Sequence, residues 1–296
     1  MTNRNFSRTF AALLAVILLF SCMGSAFSEN MPQGAANTFN LLLIGVDAYK
    51  PEDQGRSDAM ILAQITPQTG DIKLVSFLRD LYVPIPGKGK TRLNAAYFYG
   101  GEELLIQTLA DNFGVRVDRT LAVNFSLMVD LIDQLGGVEV ELSDKELKQL
   151  NSILKFYNQK TGVNAKDGLA QAAGLQRLTG KQALSYSRIR KMDSDFKRTS
   201  RQHVVLLGIL KQLTTLDFPA LAKLAADNLS RVKTNIQLSD INTLLPLIMN
   251  AGNLRLRSVH VPFDGTYDDE TINGMMVLTP NISRNRSMIA SFLNEP

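Results

Sequence analysis

Cysteine and tryptophan are nearly absent from the sequence, and the shortage of cysteine narrows how the fold can be stabilised. The chain contains one cysteine, Cys22, and no tryptophan. A single cysteine cannot form an intramolecular disulfide, so a hydrophobic core has to stabilise the fold. Hydrophobic residues make up 45% of the 296 residues and charged residues 20%, which is ample material for such a core.

The sequence also lacks a large excess of positive or negative charge. The chain has 32 basic and 28 acidic residues, for a formal net charge of +4. This balance does not provide the broad basic surface typical of nucleic-acid binding, so we expect no nucleic-acid partner. The sequence has no Gly-x-Ser-x-Gly elbow and no Walker loop. The two histidines, His203 and His260, are not spaced as a metal-binding motif.

The N-terminus has the three-part pattern of a secretory signal. A short basic segment, Met1–Arg8, precedes the apolar run Phe10–Phe20 and then several small residues. We therefore predict a signal peptide or membrane anchor at 1–27 and a polar tether at 28–38. Cys22 follows Leu-Phe-Ser, which loosely resembles a bacterial lipoprotein box, although an incidental cysteine fits equally well. Each alternative places the rest of the chain outside the cytoplasm.

The remainder, 39–296, is predicted to form one α/β domain. Strands and helices alternate, which favours a three-layer α-β-α sandwich around a central mixed sheet. The predicted strands are 39–46, 59–66, 71–78, 120–124, 138–142 and 255–261. The predicted helices are 102–113, 125–135, 145–157, 181–187, one that begins at 195, 218–229, 239–249 and 285–293.

Acidic and basic side chains are predicted to meet at one end of the first three strands. Asp47 lies at the carboxyl end of a buried strand, the edge where open α/β sheets collect ligands. A hairpin around the turn Pro67-Gln68-Thr69-Gly70 would place Asp58 opposite Arg79, with Arg56 and Asp80 nearby. These carboxylates could form surface ion pairs, which contribute little to stability. They could also hold Mg²⁺, which is often bound by one or two carboxylates with phosphates and water.

The segment Ser187–Gln202 concentrates positive charge. Arg188 and Arg190 are two residues apart, so on an extended chain they would point the same way. Arg198 and Gln202 share one helix face with Asp195. Such a run is often a solvated surface, but arginine forks also match phosphate oxygens bidentately, and this spacing favours an anion site.

Six segments in this order resemble the LytR-CpsA-Psr family of cell-wall ligases. They cover about 40–213 and read NLLLIGVD at 40–47, RSDAMIL at 56–62, VSFLRDLYVPIPGKGKTRLNAAYFYGG at 75–101, VNFSLMVDLIDQLGGVEVEL at 123–142, GLQRLTGKQALSYSRIRK at 174–191 and DFKRTSRQ at 195–202. The chain departs from the family at Leu78, where proline is usual, and at Arg92, where lysine is usual.

The resemblance implies a Mg²⁺-dependent phosphotransferase at the outer face of a bacterial cell membrane. It would move a phosphorylated glycopolymer, such as teichoic acid or capsule, from a polyprenyl-diphosphate carrier to peptidoglycan. By matched motif, Asp47 and Asp58 would hold Mg²⁺. The residues that would bind the diphosphate are Arg56, Arg79, Arg188, Arg190, Arg198, Gln202 and, within reach, Arg92.

Residue chemistry leaves three points open. Asp195 and Asp80 are both candidates for the general base that accepts the proton of the acceptor hydroxyl. The prenyl tail needs an apolar groove, for which we expect walls from the helices at 102–113, 125–135 and 145–157 and from the apolar 205–229 region. Two other functions use the same phosphate site: a polyprenyl-diphosphate hydrolase, and a non-catalytic lipid-phosphate-binding or regulatory protein.

Overall fold

The structure, a computed structural model, describes residues 38–48, 55–190, 195–213, 215–228, 231–237, 239–240, 243 and 255–295. The predicted leader at 1–27 and nearly all of the tether at 28–38 lie outside these ranges, as does most of the predicted helix at 239–249. No helix within the described ranges is long and apolar enough to cross a membrane.

The described chain folds into twelve strands and seven helices. The strands are β1 (Phe39–Val46), β2 (Ser57–Thr66), β3 (Asp71–Phe77), β4 (Tyr82–Ile85), β5 (Gly89–Arg92), β6 (Arg119–Asn124), β7 (Val138–Leu142), β8 (Gly174–Leu178), β9 (Lys233–Thr234), β10 (Arg255–Val261), β11 (Tyr267–Ile272) and β12 (Met275–Pro280). The helices are α1 (Asn94–Phe113), α2 (Phe125–Gln134), α3 (Asp144–Lys160), α4 (Gly180–Ser187), α5 (Asp195–Leu213), α6 (Phe218–Asn228) and α7 (Ile282–Asn294).

The central sheet is mixed, as the sequence predicts. Its strand order is β10-β3-β2-β1-β6-β9. β1 runs antiparallel to β2 and parallel to β6, while β3 is antiparallel to β2 and parallel to β10. The fold is therefore the expected α/β sandwich with helices on a mixed sheet.

Alternate residues of β1 lie on opposite faces of this sheet. Leu42, Ile44 and Val46 are buried in the main core, where α1 contributes Leu105 and Phe113. Leu43 and Gly45 line an apolar cavity on the opposite side, beneath α2, α5 and α6, and Ile44 also contributes to that lining. The first face is a filled core, whereas the second retains space beneath its helices.

The register of the β2–β3 hairpin also agrees with the prediction. Ile61 pairs with Ser76 and Thr66 pairs with Asp71 around the predicted turn. The same register continued outward places Asp58 opposite Arg79, and Arg79 Nη1 lies 2.8 Å from Asp58 Oδ1. The ladder is regular from Ile61 to Thr66 and from Asp71 to Ser76, so the turn and the strand lengths were sufficient to place the pair.

Several elements differ from the sequence prediction. The helix expected at 102–113 begins earlier, at Asn94, and is interrupted by non-helical backbone at Gly100 and Gly101. Gly101 has a φ of 63°, a conformation that glycine adopts without strain. The sequence predicts an extended stretch at 82–86 and a turn at 87–89, which agree with β4 and the turn after it, but the pairing strand β5 was not predicted. The hairpin β11–β12 and the strand β8, which pairs with β7, were not predicted either.

Candidate active site

The two acids meet because β1 and β2 are antiparallel neighbours. The carboxyl end of β1 adjoins the amino end of β2, with Val46 opposite Ser57. Asp47 follows β1 directly, and its N–H donates a hydrogen bond to the Arg56 carbonyl at 2.8 Å. Asp58 is the second residue of β2. Two carboxylates that are eleven positions apart in the chain are thereby brought to one corner of the sheet.

The charged form of Asp47 is disfavoured by its surroundings. Burial raises the pKa of its carboxyl above the ordinary value of 3.8, and the charge of Asp58 raises it further. The charges of Arg188 and Arg79 act in the opposite direction and do not cancel the shift. Arg188 Nη2 lies 3.6 Å from Asp47 Oδ1, a loose ion pair. A partly buried carboxylate beside a like charge is a place where a divalent cation relieves repulsion.

Asp80 organises three arginines. Its side chain is 4% exposed and lies 2.9 Å from Arg190 Nη2 and 3.2 Å from Arg92 Nε. Arg79 Nε is 3.6 Å away, while the other arm of Arg79 contacts Asp58. Arg92 also donates to the Met276 carbonyl at 2.6 Å. One buried carboxylate thus links its neighbour Arg79, Arg92 on β5 and Arg190, which lies 110 positions later in the chain.

Arg188 does not have an extended backbone, so the predicted arrangement of Arg188 and Arg190 on one extended segment is wrong. Arg188 caps the carboxyl end of α4 with a φ of −100° and a ψ of −1°. Its guanidinium lies 4.5 Å from the ring centroid of Phe125 and is directed to Asp47, whereas Arg190 reaches Asp80. The two side chains converge on one cavity from different directions because a helix end, not a strand pleat, positions them.

This cation-lined cavity has a volume of about 180 Å³. Of the residues proposed for diphosphate binding, Arg79, Arg188, Arg190, Arg198 and Gln202 line it, together with Asp58. Arg198 and Gln202 come from one face of α5, as the helical spacing predicts. Asp195 is the first residue of that helix, but the described part of the structure does not include its side chain.

Arg56 and Arg92 flank the cavity without lining it. The exposed Arg56 guanidinium lies 5.8 Å from the ring centroid of Phe98. Arg92 contacts Asp80, which it shares with Arg79 and Arg190. The structure therefore does not place these two arginines in the lining, and their predicted contact with the diphosphate stays a prediction.

An apolar cavity adjoins the cation-lined one. Gly45, Ala59, Val123, Met128 and Gln202 line both cavities, so they are the wall or mouth between them. The remaining lining is hydrophobic and comes from the sheet, from α2, α5 and α6 and from two residues just outside these elements, Leu135 and Val232. The residues on the sheet and the helices are Leu43, Ile44, Ile61, Leu121, Leu131, Leu206, Ile209, Leu213 and Leu224. The expected contributions of α2 and of the 205–229 region are confirmed. The helices at 102–113 and 145–157 do not line this cavity.

Comparison with known proteins identifies the family. A sequence model of the LytR_cpsA_psr family matches residues 23–291. The chain belongs to the LytR_cpsA_psr family. It is 33% identical over 218 residues to a Bacillus subtilis protein named polyisoprenyl-teichoic acid–peptidoglycan teichoic acid transferase TagT. That match covers 72% of this chain and 64% of the relative, so the chain spans less than two thirds of the relative's length.

Solved structures of the family share the fold. The structure of TagT bound to LIIa-WTA has a TM-score of 0.68 and 27% identity, and the match covers 93% of this chain and 99% of the other. TagT with bound octaprenyl pyrophosphate lipid has a TM-score of 0.63 and 25% identity over the same shares of the two chains. These comparisons match the fold along nearly the whole chain.

Sequence reasoning missed part of the site of this LytR_cpsA_psr protein. Asn124 and Phe125 line the cation-lined cavity, and the Asn124 side chain accepts a hydrogen bond from the Leu127 N–H at 2.9 Å, which caps α2. Both residues lie at the carboxyl end of β6, which is parallel to β1. The rule that ligands collect at this edge, applied to β6 as it was to β1, would have found them.

Arg201 belongs to the basic run but serves the fold. It is 6% exposed, and its Nε lies 2.9 Å from Glu146 Oε1 on α3. Its Nη1 donates to the Ile189 carbonyl at 3.2 Å. Arg201 therefore fastens α5 to α3 and to the segment that carries Arg188 and Arg190, which holds the cavity wall in place.

Proposed function

We propose that this protein transfers a phosphorylated glycopolymer from a polyprenyl-diphosphate carrier to peptidoglycan, outside the cytoplasm. The observation that carries the proposal is the shared boundary between the cation-lined cavity and the apolar cavity. A diphosphate joined to a prenyl chain needs this pair of environments side by side. The names of the relatives, a teichoic acid transferase and a TagT with bound octaprenyl pyrophosphate, support the same function.

In this proposal, the arginines neutralise and orient the diphosphate. Arg79, Arg188, Arg190 and Arg198 approach it from three different segments, and Gln202 adds an amide. Phosphoryl transfer depends on positioning and charge stabilisation more than on covalent help from the protein. The acceptor hydroxyl oxygen forms a bond to the phosphorus that carries the glycan, polyprenyl phosphate leaves, and a base takes the hydroxyl proton.

Asp47 and Asp58 fit Mg²⁺ in their chemistry. Groups of three or more histidine, cysteine or acidic side chains suited to a metal are absent from the described residues. Mg²⁺ is well served by two carboxylates when substrate phosphates and water supply its other ligands. When bound, it would add Lewis-acid stabilisation of the diphosphate charge. Burial and the charge of Asp58 raise the pKa of Asp47, and a bound divalent cation would counteract both effects.

Asp80 fits the role of the general base poorly. Arginines contact both of its oxygens, and its side chain is 4% exposed. We therefore propose that Asp80 positions arginines. Asp195, at the start of α5, is the proposed base.

A stability measurement tests the metal role of Asp47 without an activity assay. The raised pKa means that ionising this carboxyl opposes folding above its ordinary pKa of 3.8. We therefore expect Asp47→Asn to raise the Tm at pH 7, with the gain shrinking as the pH falls toward 3.8. Mg²⁺ with inorganic diphosphate should raise the Tm of the wild type by about 3 °C and leave that of Asp47→Asn unchanged.

The matched control is Asp227→Asn, which removes an exposed carboxylate that pairs with Lys223 on α6. Its response to Mg²⁺ and diphosphate should equal that of the wild type. An equal Mg²⁺-dependent gain in Asp47→Asn would exclude Asp47 as a metal ligand.

Filling the apolar cavity should weaken the binding of donors with long prenyl chains more than that of donors with short ones. Leu206→Trp places a larger side chain in the cavity, displacing several methylene groups of a long chain. We expect the KM for a long-chain polyprenyl donor to rise about ten-fold, with a much smaller change for a short-chain donor. Leu207→Trp is the control, because Leu207 is 36% exposed and lies outside the cavity lining. Equal KM changes for both donors would contradict the assignment of this cavity to the prenyl chain.

The function itself is tested with purified protein, a polyprenyl-diphosphate saccharide, Mg²⁺ and a peptidoglycan fragment. Saccharide joined to the fragment through phosphate is the expected product. Release of free phosphorylated saccharide alone would instead identify a hydrolase. Binding of the donor without either product would identify a lipid-phosphate-binding protein.

A further inference from the structure

A row of two aromatic rings with a cation at each end lies on the surface next to the acid pair. It begins at Lys88, in the turn between β4 and β5, and continues through Tyr99 and Phe98 at the end of the first segment of α1 to Arg56. Resting on the proposed function, we propose that this row binds an anionic saccharide chain that extends from the diphosphate site.

The row is continuous. Lys88 Nζ lies 5.6 Å from the ring centroid of Tyr99, and the Tyr99 and Phe98 centroids are 5.8 Å apart in an edge-on arrangement. The Arg56 guanidinium lies 5.8 Å from the Phe98 centroid. The Arg56 carbonyl accepts the N–H of Asp47, so the backbone at this end of the row adjoins an acid of the proposed metal site. A chain attached to a diphosphate in the cavity can therefore continue along the row.

The row is positively charged and open to solvent. The stretch 81–101 contains Lys88, Lys90 and Arg92 and no acidic residue. Tyr99 is 45% exposed, and both lysines are exposed. On the same hairpin, Lys90 Nζ lies 4.9 Å from the Tyr82 ring centroid, which repeats the pairing of a cation with a ring. Exposed pairs of this kind stabilise a fold only slightly, so the fold itself does not require them.

An anionic saccharide matches this surface chemically. Sugar rings have apolar C–H faces that pack on aromatic rings, while their phosphate or carboxylate groups pair with lysine and arginine. The chemistry has two possible sources: the glycan of the donor beyond its first sugars, or the acceptor peptidoglycan strand with its carboxylates. Both are anionic saccharide chains. Varying the length of the donor glycan and of the acceptor fragment one at a time shows which of the two the row binds.

The test compares Tyr99→Ala and Lys88→Ala with the wild type in the transfer assay, using donors with short and long glycans and short and long peptidoglycan fragments. Each variant should raise the KM for one of the long saccharides roughly three- to ten-fold more than that for its short counterpart. Tyr99→Phe keeps the ring and should restore the wild-type ratio. Circular dichroism and Tm verify that each variant is folded.

The chain offers a matched control pair on α3. Lys160 Nζ lies 5.5 Å from the ring centroid of Phe156, which is 50% exposed, and neither residue lines a cavity described above. Phe156→Ala and Lys160→Ala should leave the ratio of long to short KM values unchanged.

The outcomes separate this inference from the proposed function. A change in the donor ratio assigns the row to the donor glycan, and a change in the acceptor ratio assigns it to peptidoglycan; either supports the inference. Unchanged ratios in a fully active Tyr99→Ala and Lys88→Ala pair overturn the inference and leave the proposed function intact. Failure of the wild type to transfer any saccharide overturns the proposed function. In that event, the affinities of the wild type and the variants for soluble anionic saccharides are measured directly. Weaker binding by Tyr99→Ala and Lys88→Ala supports the inference about the row, and equal binding overturns it.

Discussion

Arg190→Ala should lower kcat/KM for transfer about 1000-fold while the protein remains folded. Arg190 lines the cation-lined cavity, and we propose that its guanidinium holds the diphosphate as charge shifts to the leaving group. The fold should survive because Arg190 is half-buried and Asp80 retains its contacts with Arg79 and Arg92. Initial rates at several donor concentrations measure kcat and KM separately, and near-unchanged urea unfolding verifies the fold.

Two further variants sharpen this result. Arg190→Lys keeps one positive charge but loses the planar fork, so it should recover only part of the activity. Arg177→Ala is the control, since Arg177 is an exposed arginine paired with Glu139 across β7 and β8 at 3.3 Å. Its transfer rate should match the wild type. A folded Arg190→Ala that attaches polymer at the wild-type rate would remove Arg190 from the catalytic machinery.

The sequence was sufficient for those parts of the site that depend on local pattern. The continuous apolar run of β1 located Asp47 at a strand end, and the length of the β2–β3 turn set the register that pairs Asp58 with Arg79. Helical spacing placed Arg198 and Gln202 on one face of α5. In each instance, the residues that come together lie within one secondary-structure element or within one short hairpin.

The sequence did not reveal contacts that depend on packing between distant segments. No spacing or motif around Asp80 indicates that Arg190, which lies 110 positions later in the chain, contacts it at 2.9 Å. The predicted helix at 181–187 is present, but Arg188, expected on an extended segment, continues with helical dihedral angles at its end and packs on Phe125. The same difficulty hid the structural role of Arg201, since charge alone does not distinguish a ligand-binding arginine from one that joins two helices.

Asp80→Ala should cost both stability and activity. Removing this carboxylate leaves Arg79, Arg92 and Arg190 around a buried space without their shared counter-ion. Breaking a buried ion pair costs about 3 kcal/mol of unfolding free energy, and partial exposure of the arginines keeps the cost near the lower end. Transfer should fall more than about 100-fold because the arginines repel one another and leave their positions. Urea unfolding and initial rates measure the two effects.

Comparing Asp80→Asn with a control decides what Asp80 does. If Asp80 positions arginines, Asp80→Asn weakens binding of a polyprenyl diphosphate as well as transfer, because the amide preserves the shape but not the charge that holds the guanidinium groups. If Asp80 were the general base, diphosphate affinity would stay at the wild-type value and only kcat would fall. Asp240→Ala provides the control: Asp240 is 2% exposed and pairs with Arg119 at 2.6 Å, so its loss should lower stability without changing diphosphate affinity. Together, the two variants separate the effect of losing a buried ion pair from the effect of losing the element that brings three arginines to one diphosphate.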